Sequence, residues 1–227
     1  MLPVEQNAMT SEIIRNIDDA GVVAVLVIDE LKHAIPLADA LLEGGVNAIE
    51  LTLRTPVALD AAIAIKKNFP EINLGIGTVL TVEQVKAIAG IGVDFAVAPG
   101  CNPKIIESAQ KYGVSFAPGI STASELEIAV EMGCRILKFF PAEPLGGMAY
   151  LKSMAAPYQY LGLKFIPLGG LNMINATEYL QSELITAIGG SWIAKQSLIQ
   201  SENWQQITAN SIEIRNLISQ IRKNSKQ

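Results

Sequence analysis

One lysine interrupts an otherwise apolar, strand-like run, Arg135-Ile136-Leu137-Lys138-Phe139-Phe140-Pro141, shortly before its end. Most of the other eleven lysines lie in helix-like segments or tails. Strand alternation puts Lys138 on the face of Ile136 and Phe140, opposite Leu137 and Phe139. On a buried face an ammonium is partly desolvated, which favours the neutral amine, the form that attacks a ketone to make a Schiff base. A structural ion pair is the other reading of the same position.

A second run, Asn47-Ala48-Ile49-Glu50-Leu51-Thr52-Leu53-Arg54, alternates between apolar Ile49, Leu51 and Leu53 and a polar face of Glu50, Thr52 and Arg54. The polar face cannot pack against helices, so it must look inward. Glu50 beside an amine is suited to moving protons, and Arg54 offers a planar fork for a carboxylate. A buried Glu-Arg or Glu-Lys pair is the alternative. Gly169-Gly170 and Gly189-Gly190-Ser191 follow two later apolar runs, where bare backbone amides can hold an anion such as phosphate. Thr78 supplies a hydroxyl that either binds substrate or caps its own loop.

Other chemistries lack their residues. His33 is the single histidine and is followed by helix-like sequence, so a multi-histidine metal site cannot form and a hydrolase triad has one imidazole to draw on. We expect His33 on the surface of the first barrel helix, and no metal. Cys101 and Cys134 have no CxxC spacing and read as buried thiols. Net charge is −5 without a basic patch, which argues against nucleic acid as a partner. The apolar runs are far shorter than the ~18 residues a membrane span needs. No basic start followed by an apolar run opens the chain, so the expected location is cytoplasmic.

Elements must position these groups. The chain has 227 residues, 50% of them hydrophobic and 17% charged, which predicts one well-buried domain over 1–227. Short β-branched-rich runs begin near Val22, Ala48, Ile72, Phe95, Ser115, Arg135, Lys164 and Leu184, separated by helical patterning. Eight strand-helix units predict an α/β fold, a (β/α)8 TIM barrel; a doubly wound open sheet is the alternative. Strands two and six of such a barrel are diametrically opposed, so Glu50 and Lys138 converge at its mouth. Thr55-Pro56 and Asn102-Pro103 read as helix caps, and Thr81 to Gln84 and Thr122 to Glu125 as capping boxes. Ser11 to Ala20 reads as an extra N-terminal helix closing the barrel bottom, residues 1–8 as loose, and the end as one helix after Ser191 to about Ile221 with a polar tail from about 222.

The runs Glu50-Leu51-Thr52-Leu53-Arg54-Thr55, Gly75-Ile76-Gly77-Thr78-Val79-Leu80, Pro118-Gly119-Ile120-Ser121-Thr122, Lys138-Phe139-Phe140-Pro141-Ala142-Glu143 and Gly189-Gly190-Ser191-Trp192 together resemble the 2-keto-3-deoxy-6-phosphogluconate (KDPG) aldolase family, also described as 4-hydroxy-2-oxoglutarate (KHG) aldolase. The resemblance spans about Met9 to Ile193. It implies a class I aldolase with Lys138 as Schiff-base lysine, Glu50 as proton-transfer residue, and Arg54 with Thr78 at the pyruvate carboxylate. It also implies pyruvate and a phosphorylated keto acid as ligands, no cofactor, and a homotrimer. Pro167-Leu168-Gly169-Gly170 departs from the family's Pro-Thr-Gly-Gly, and Ala98-Pro99-Gly100 from its Ser-Pro-Gly. Substrates of the galactonate or 4-hydroxy-2-oxoglutarate type, a phosphosugar isomerase or epimerase, and a non-catalytic ligand-binding barrel are the alternatives.

Overall fold

The computed structural model describes residues 10–224. Its strands are β1 (Val22–Leu26), β2 (Ala48–Thr52), β3 (Asn73–Gly77), β4 (Phe95–Val97), β5 (Phe116–Ala117), β6 (Gly119–Ile120), β7 (Ile136–Phe139), β8 (Lys164–Pro167) and β9 (Ile188–Gly190). The α-helices are α1 (Ser11–Ala20), α2 (Ala34–Glu43), α3 (Ala58–Asn68), α4 (Val82–Ile91), α5 (Pro103–Lys111), α6 (Ala123–Glu131), α7 (Gly147–Ala155), α8 (Ala176–Leu180), α9 (Gln196–Gln200) and α10 (Trp204–Asn224).

All strand pairs are parallel, in a six-stranded sheet ordered β5-β4-β3-β2-β1-β9 and a three-stranded sheet ordered β6-β7-β8. The expected fifth strand is thus two, split at Pro118, which has no N–H to give a ladder. Its carbonyl still accepts from Lys138 N–H at 2.9 Å. The expected eighth strand starts later than Leu184: residues 184–187 reach β8 through one bridge, Phe165 to Ile185, and regular pairing begins at Ile188.

Apolar side chains are buried on both faces of the strands, as parallel sheets require. Ile49, Leu51, Leu137, Phe139 and Phe165 pack in one cluster with the helices. Val23, Ala48, Phe95, Val97, Ile136, Ile166 and Leu168 form a second cluster between the strands, joined by Ile17 and Ala20 of α1. Lys138 alternates with Leu137 and Phe139, so it belongs to the inner face. Thr10 caps α1 by accepting from Ile13 N–H, and Gly21 ends it at φ 68°; the ten-residue helix has the limits expected from its sequence.

Both capping boxes form, and Asn102 accepts from Lys104 N–H at 3.1 Å. Thr55 differs from expectation. Its hydroxyl donates to Ile28 O at 2.6 Å, satisfying a carbonyl two residues beyond β1, while α3 begins at Ala58 without a side-chain cap. The C-terminal region is two helices rather than one, broken where Glu202 takes φ 54°, and α10 continues through Asn224, so Arg222 and Lys223 are helical and not tail. Residues 1–8, expected to be loose, lie outside the described residues, as do 225–227.

His33 is buried rather than on the surface. It is 2% exposed, its Nε2 lies 3.3 Å from Glu202 Oε1, and its ring meets Trp204 edge-on. The loop between α9 and α10 covers it, a contact across 169 residues that local patterning does not reveal. Lys32 and then His33 hold the Glu202 carboxyl below its usual range. The imidazole is thereby committed to a packing contact. Neither cysteine is a ready nucleophile: burial pushes the Cys101 thiol up to about 11 and the Cys134 thiol up to about 12. No described helix is long and apolar enough to cross a membrane.

Candidate functional site

Lys138, third residue of β7, sends its ammonium to Glu50 of β2, with Nζ 3.0 Å from Oε1 and 3.4 Å from Oε2. The residues are 5% and 2% exposed, so the pair has little water to screen it. Two glycines of β3 make the room. A Cβ on Gly77 would lie 2.0 Å from Glu50 Oε1, and one on Gly75 would lie 2.1 Å from the Phe95 ring. Glycines inside a strand often mark such close approach. Phe140 places its ring 5.6 Å from Lys138 Nζ, which adds a cation–π contact.

The pair opens onto a cavity of about 280 Å³ that is also lined by Arg54, Thr78, Leu168, Gly169, Gly170 and Ser191. Larger clefts of about 590 and 600 Å³ contain none of these residues. Volume does not select the site; the convergence of charged and polar groups does. Thr52, on the same strand face as Glu50, is closed to a ligand: it is buried and donates to Leu26 O at 2.9 Å.

Arg54 is exposed at the cavity, and its guanidinium has no acceptor among the described residues. Thr78 has φ 61°, a left-handed conformation that costs a β-branched residue roughly 1–3 kcal/mol. Its hydroxyl caps nothing in its own loop. A strained backbone with an unspent hydroxyl is the arrangement expected where a ligand, rather than the fold, uses the group.

Gly169 and Gly170, at φ 95° and 87°, line the cavity, and the N–H groups of Gly169, Gly170 and Leu171 have no acceptor among the described residues. Successive unpaired backbone amides of this kind can form a nest that holds an anion. Gly190 is not among the residues that line the cavity. It alternates to the outer face of β9, where a Cβ would lie 2.1 Å from the Trp192 ring, while Gly189 and Ser191 face inward. Gly189 takes its place among the lining residues, because a Cβ there would strike Leu168 Cγ at 2.2 Å. Period-2 alternation along Gly189-Gly190-Ser191 is the signal that distinguishes them. No cluster of three metal-ligating side chains occurs among the described residues.

Comparison with known proteins gives consistent findings. Residues 13–210 match the family model described as KDPG and KHG aldolase. A 2-dehydro-3-deoxy-phosphogluconate aldolase of Treponema pallidum is 40% identical over 188 residues, 83% of this chain and 89% of that protein. A solved KDPG aldolase from Legionella pneumophila, holding pyruvate captured at low pH as a covalent carbinolamine intermediate, superposes with TM-score 0.84 at 37% identity, covering 88% of this chain and 97% of that one. The KDPG aldolase of Zymomonas mobilis ZM4 with 3-phosphoglycerate gives TM-score 0.81 at 36% identity, covering 91% and 95%. By sequence match along most of its length and by fold, this chain belongs to the KDPG and KHG aldolase family.

Proposed function

We propose that the protein is a class I aldolase that cleaves KDPG to pyruvate and glyceraldehyde 3-phosphate. The observation that carries this reading is the buried Lys138–Glu50 pair facing a cavity with a free guanidinium on one side and an amide nest on the other. The neutral Lys138 amine adds to the C2 ketone, and the carbinolamine loses water to give an iminium. Glu50 takes the proton of the C4 hydroxyl, the C3–C4 bond breaks, and its electrons move into the iminium to form an enamine. The aldehyde leaves; C3 is then protonated, and water releases pyruvate. Arg54 and Thr78 hold the carboxylate, while Gly169, Gly170 and Ser191 hold the phosphate. Relatives that bind pyruvate covalently or hold 3-phosphoglycerate support these two halves. KHG and the phosphogalactonate epimer are the neighbouring substrates.

The test is to incubate the protein with pyruvate, reduce with borohydride and locate the added mass. It should be found on Lys138 alone. Trapping at another lysine, or nowhere, overturns the Schiff-base reading and returns an isomerase or a simple binding protein to consideration. A chelator should leave cleavage unchanged, since the reaction draws its electron sink from the imine and not from a metal; loss reversed by a divalent ion would count against this.

The two sheets belong, on this reading, to one eight-stranded (β/α)8 barrel forming a single domain over residues 1–227. Support comes from the Pro118 link between β5 and β6 and from the contacts of β8 with the segment just before β9, Phe165 N–H to Leu184 O at 2.8 Å and Thr186 N–H to Phe165 O at 3.1 Å. A homotrimer is the assembly that the family resemblance implies, and light scattering would check it. Two free thiols suit a cytoplasmic location.

Leu168 stands where the family pattern has a threonine. Its side chain lines the cavity against Gly189, so it gives the phosphate-bearing half a wall without a hydrogen bond. Leu168→Thr should widen the preference for phosphorylated over unphosphorylated substrate by roughly 2- to 12-fold in kcat/KM, the equivalent of one ~0.5–1.5 kcal/mol hydrogen bond. An unchanged ratio would mean that this position does not read the phosphate half.

A further inference from the structure

Behind the Gly169–Gly170 loop lies a polar pair for which the proposed chemistry has no use. Tyr179 of α8 is fully buried, and its phenol donates to Glu143 Oε1. Glu143 N–H donates to Gly169 O at 3.0 Å, and Ala142 N–H donates to Leu168 O at 2.7 Å. The fit around the carboxylic side chain is close: a Cβ on Gly170 would lie 2.5 Å from Glu143 Cβ, and one on Gly147 would lie 3.0 Å from Glu143 Oε1 and 3.2 Å from the Tyr179 oxygen. Asn175 and Asn172 donate their side-chain amides to Gly170 O at 3.2 and 3.3 Å.

Three successive carbonyls, of Leu168, Gly169 and Gly170, are therefore each held by a donor. In a planar trans peptide the C=O and N–H point in opposite directions, so fixing each of those carbonyls also fixes the direction of its partner N–H, that of Gly169, Gly170 or Leu171. None of those three amides has an acceptor among the described residues. Burial and then the Glu143 bond push the Tyr179 phenol well above its ordinary value, so it remains a donor throughout the neutral range.

We infer that Glu143 and Tyr179 are positioning residues for the anion subsite: the phenol fixes the Glu143 side chain, and Glu143 fixes the loop whose amides receive the phosphate. Glu143 does not line the cavity, and Tyr179 turns one of its oxygens toward α8. Without the phenol, the carboxylate loses its anchor and the nest loses its backing. This inference rests on the phosphate reading of the Gly169–Gly170 loop and deepens it.

The experiment uses the full-length enzyme in the condensation direction, with pyruvate and either glyceraldehyde 3-phosphate or glyceraldehyde, with inorganic phosphate as inhibitor. For Tyr179→Phe, the KM for glyceraldehyde 3-phosphate and the Ki of phosphate should each rise roughly tenfold, as for loss of well-aligned hydrogen bonds. Turnover at saturation and the pyruvate dependence of borohydride trapping should not change. Glu143→Ala should behave like Tyr179→Phe, whereas Glu143→Gln keeps an acceptor for the phenol and should keep the parent values. Should the tyrosine variant not fold, the two Glu143 variants carry the comparison. An unchanged phosphate Ki in folded Tyr179→Phe, equal loss of pyruvate trapping, or a Gln variant as weak as the Ala variant would each overturn the positioning role. A parent enzyme insensitive to phosphate and indifferent to the aldehyde's phosphate would instead remove the subsite itself.

Discussion

Lys138→Arg should abolish aldol cleavage and eliminate the borohydride-trapped pyruvate adduct. Guanidinium stays protonated under any working condition and so has no free electron pair for the C2 ketone. It would retain positive charge facing Glu50, so an outcome that depended only on the ion pair would survive the substitution. The parent geometry places Nζ 3.0 Å from Glu50 Oε1 in a site almost closed to water, and no other lysine lines the cavity. Removing a covalent nucleophile commonly costs ~10⁴-fold or more in turnover. The measurement is single-turnover cleavage of KDPG, followed by mass analysis after reduction. Substantial residual cleavage in a variant that traps no pyruvate would argue for a noncovalent reaction and sink the imine mechanism.

Glu50→Gln should separate imine formation from carbon-carbon cleavage. Glutamine is nearly isosteric, and it fits the space that Gly77 leaves, where a Cβ would come within 2.0 Å of the present carboxylate oxygen. Its amide oxygen still accepts from Lys138, but it cannot take up the C4 hydroxyl proton. Trapping with pyruvate should therefore continue while cleavage slows by roughly 10²–10⁴-fold, the usual contribution of a positioned acid or base. Slower trapping in step with cleavage would assign Glu50 to tuning the lysine instead. Cleavage at the parent rate would remove it from the reaction.

The candidate site was legible in sequence wherever one strand face carried the message. Lys138 breaks an apolar alternation and Glu50 completes a polar one, and in both cases period 2 states which way the side chain points. The same rule, pressed one step further along Gly189-Gly190-Ser191, would have set Gly190 aside, since the structure turns it to Trp192. Thr55 misled because a hydroxyl before a proline suits a helix cap as well as it suits the carbonyl of Ile28, and only the proximity of β1 decides between them. His33 misled for a similar reason: an amphipathic neighbourhood does not disclose that Glu202 and Trp204 return to cover it.

By itself the sequence determined the alternation of strands and helices, the limits of α1, three of the four helix-start caps, and which residues are candidates for the chemistry. These follow from short-range physics: side-chain period, capping geometry and the placement of glycine and proline. Only the tertiary structure decided that Glu50 and Lys138, 88 residues apart, meet at 3.0 Å, that Pro118 splits a strand, and that Tyr179 reaches Glu143 across 36 residues. Such pairs are set by how the sheets are arranged and by what fills the space beside Gly75, Gly77 and Gly170. Close packing is a property of all the neighbours at once, and no local pattern records it.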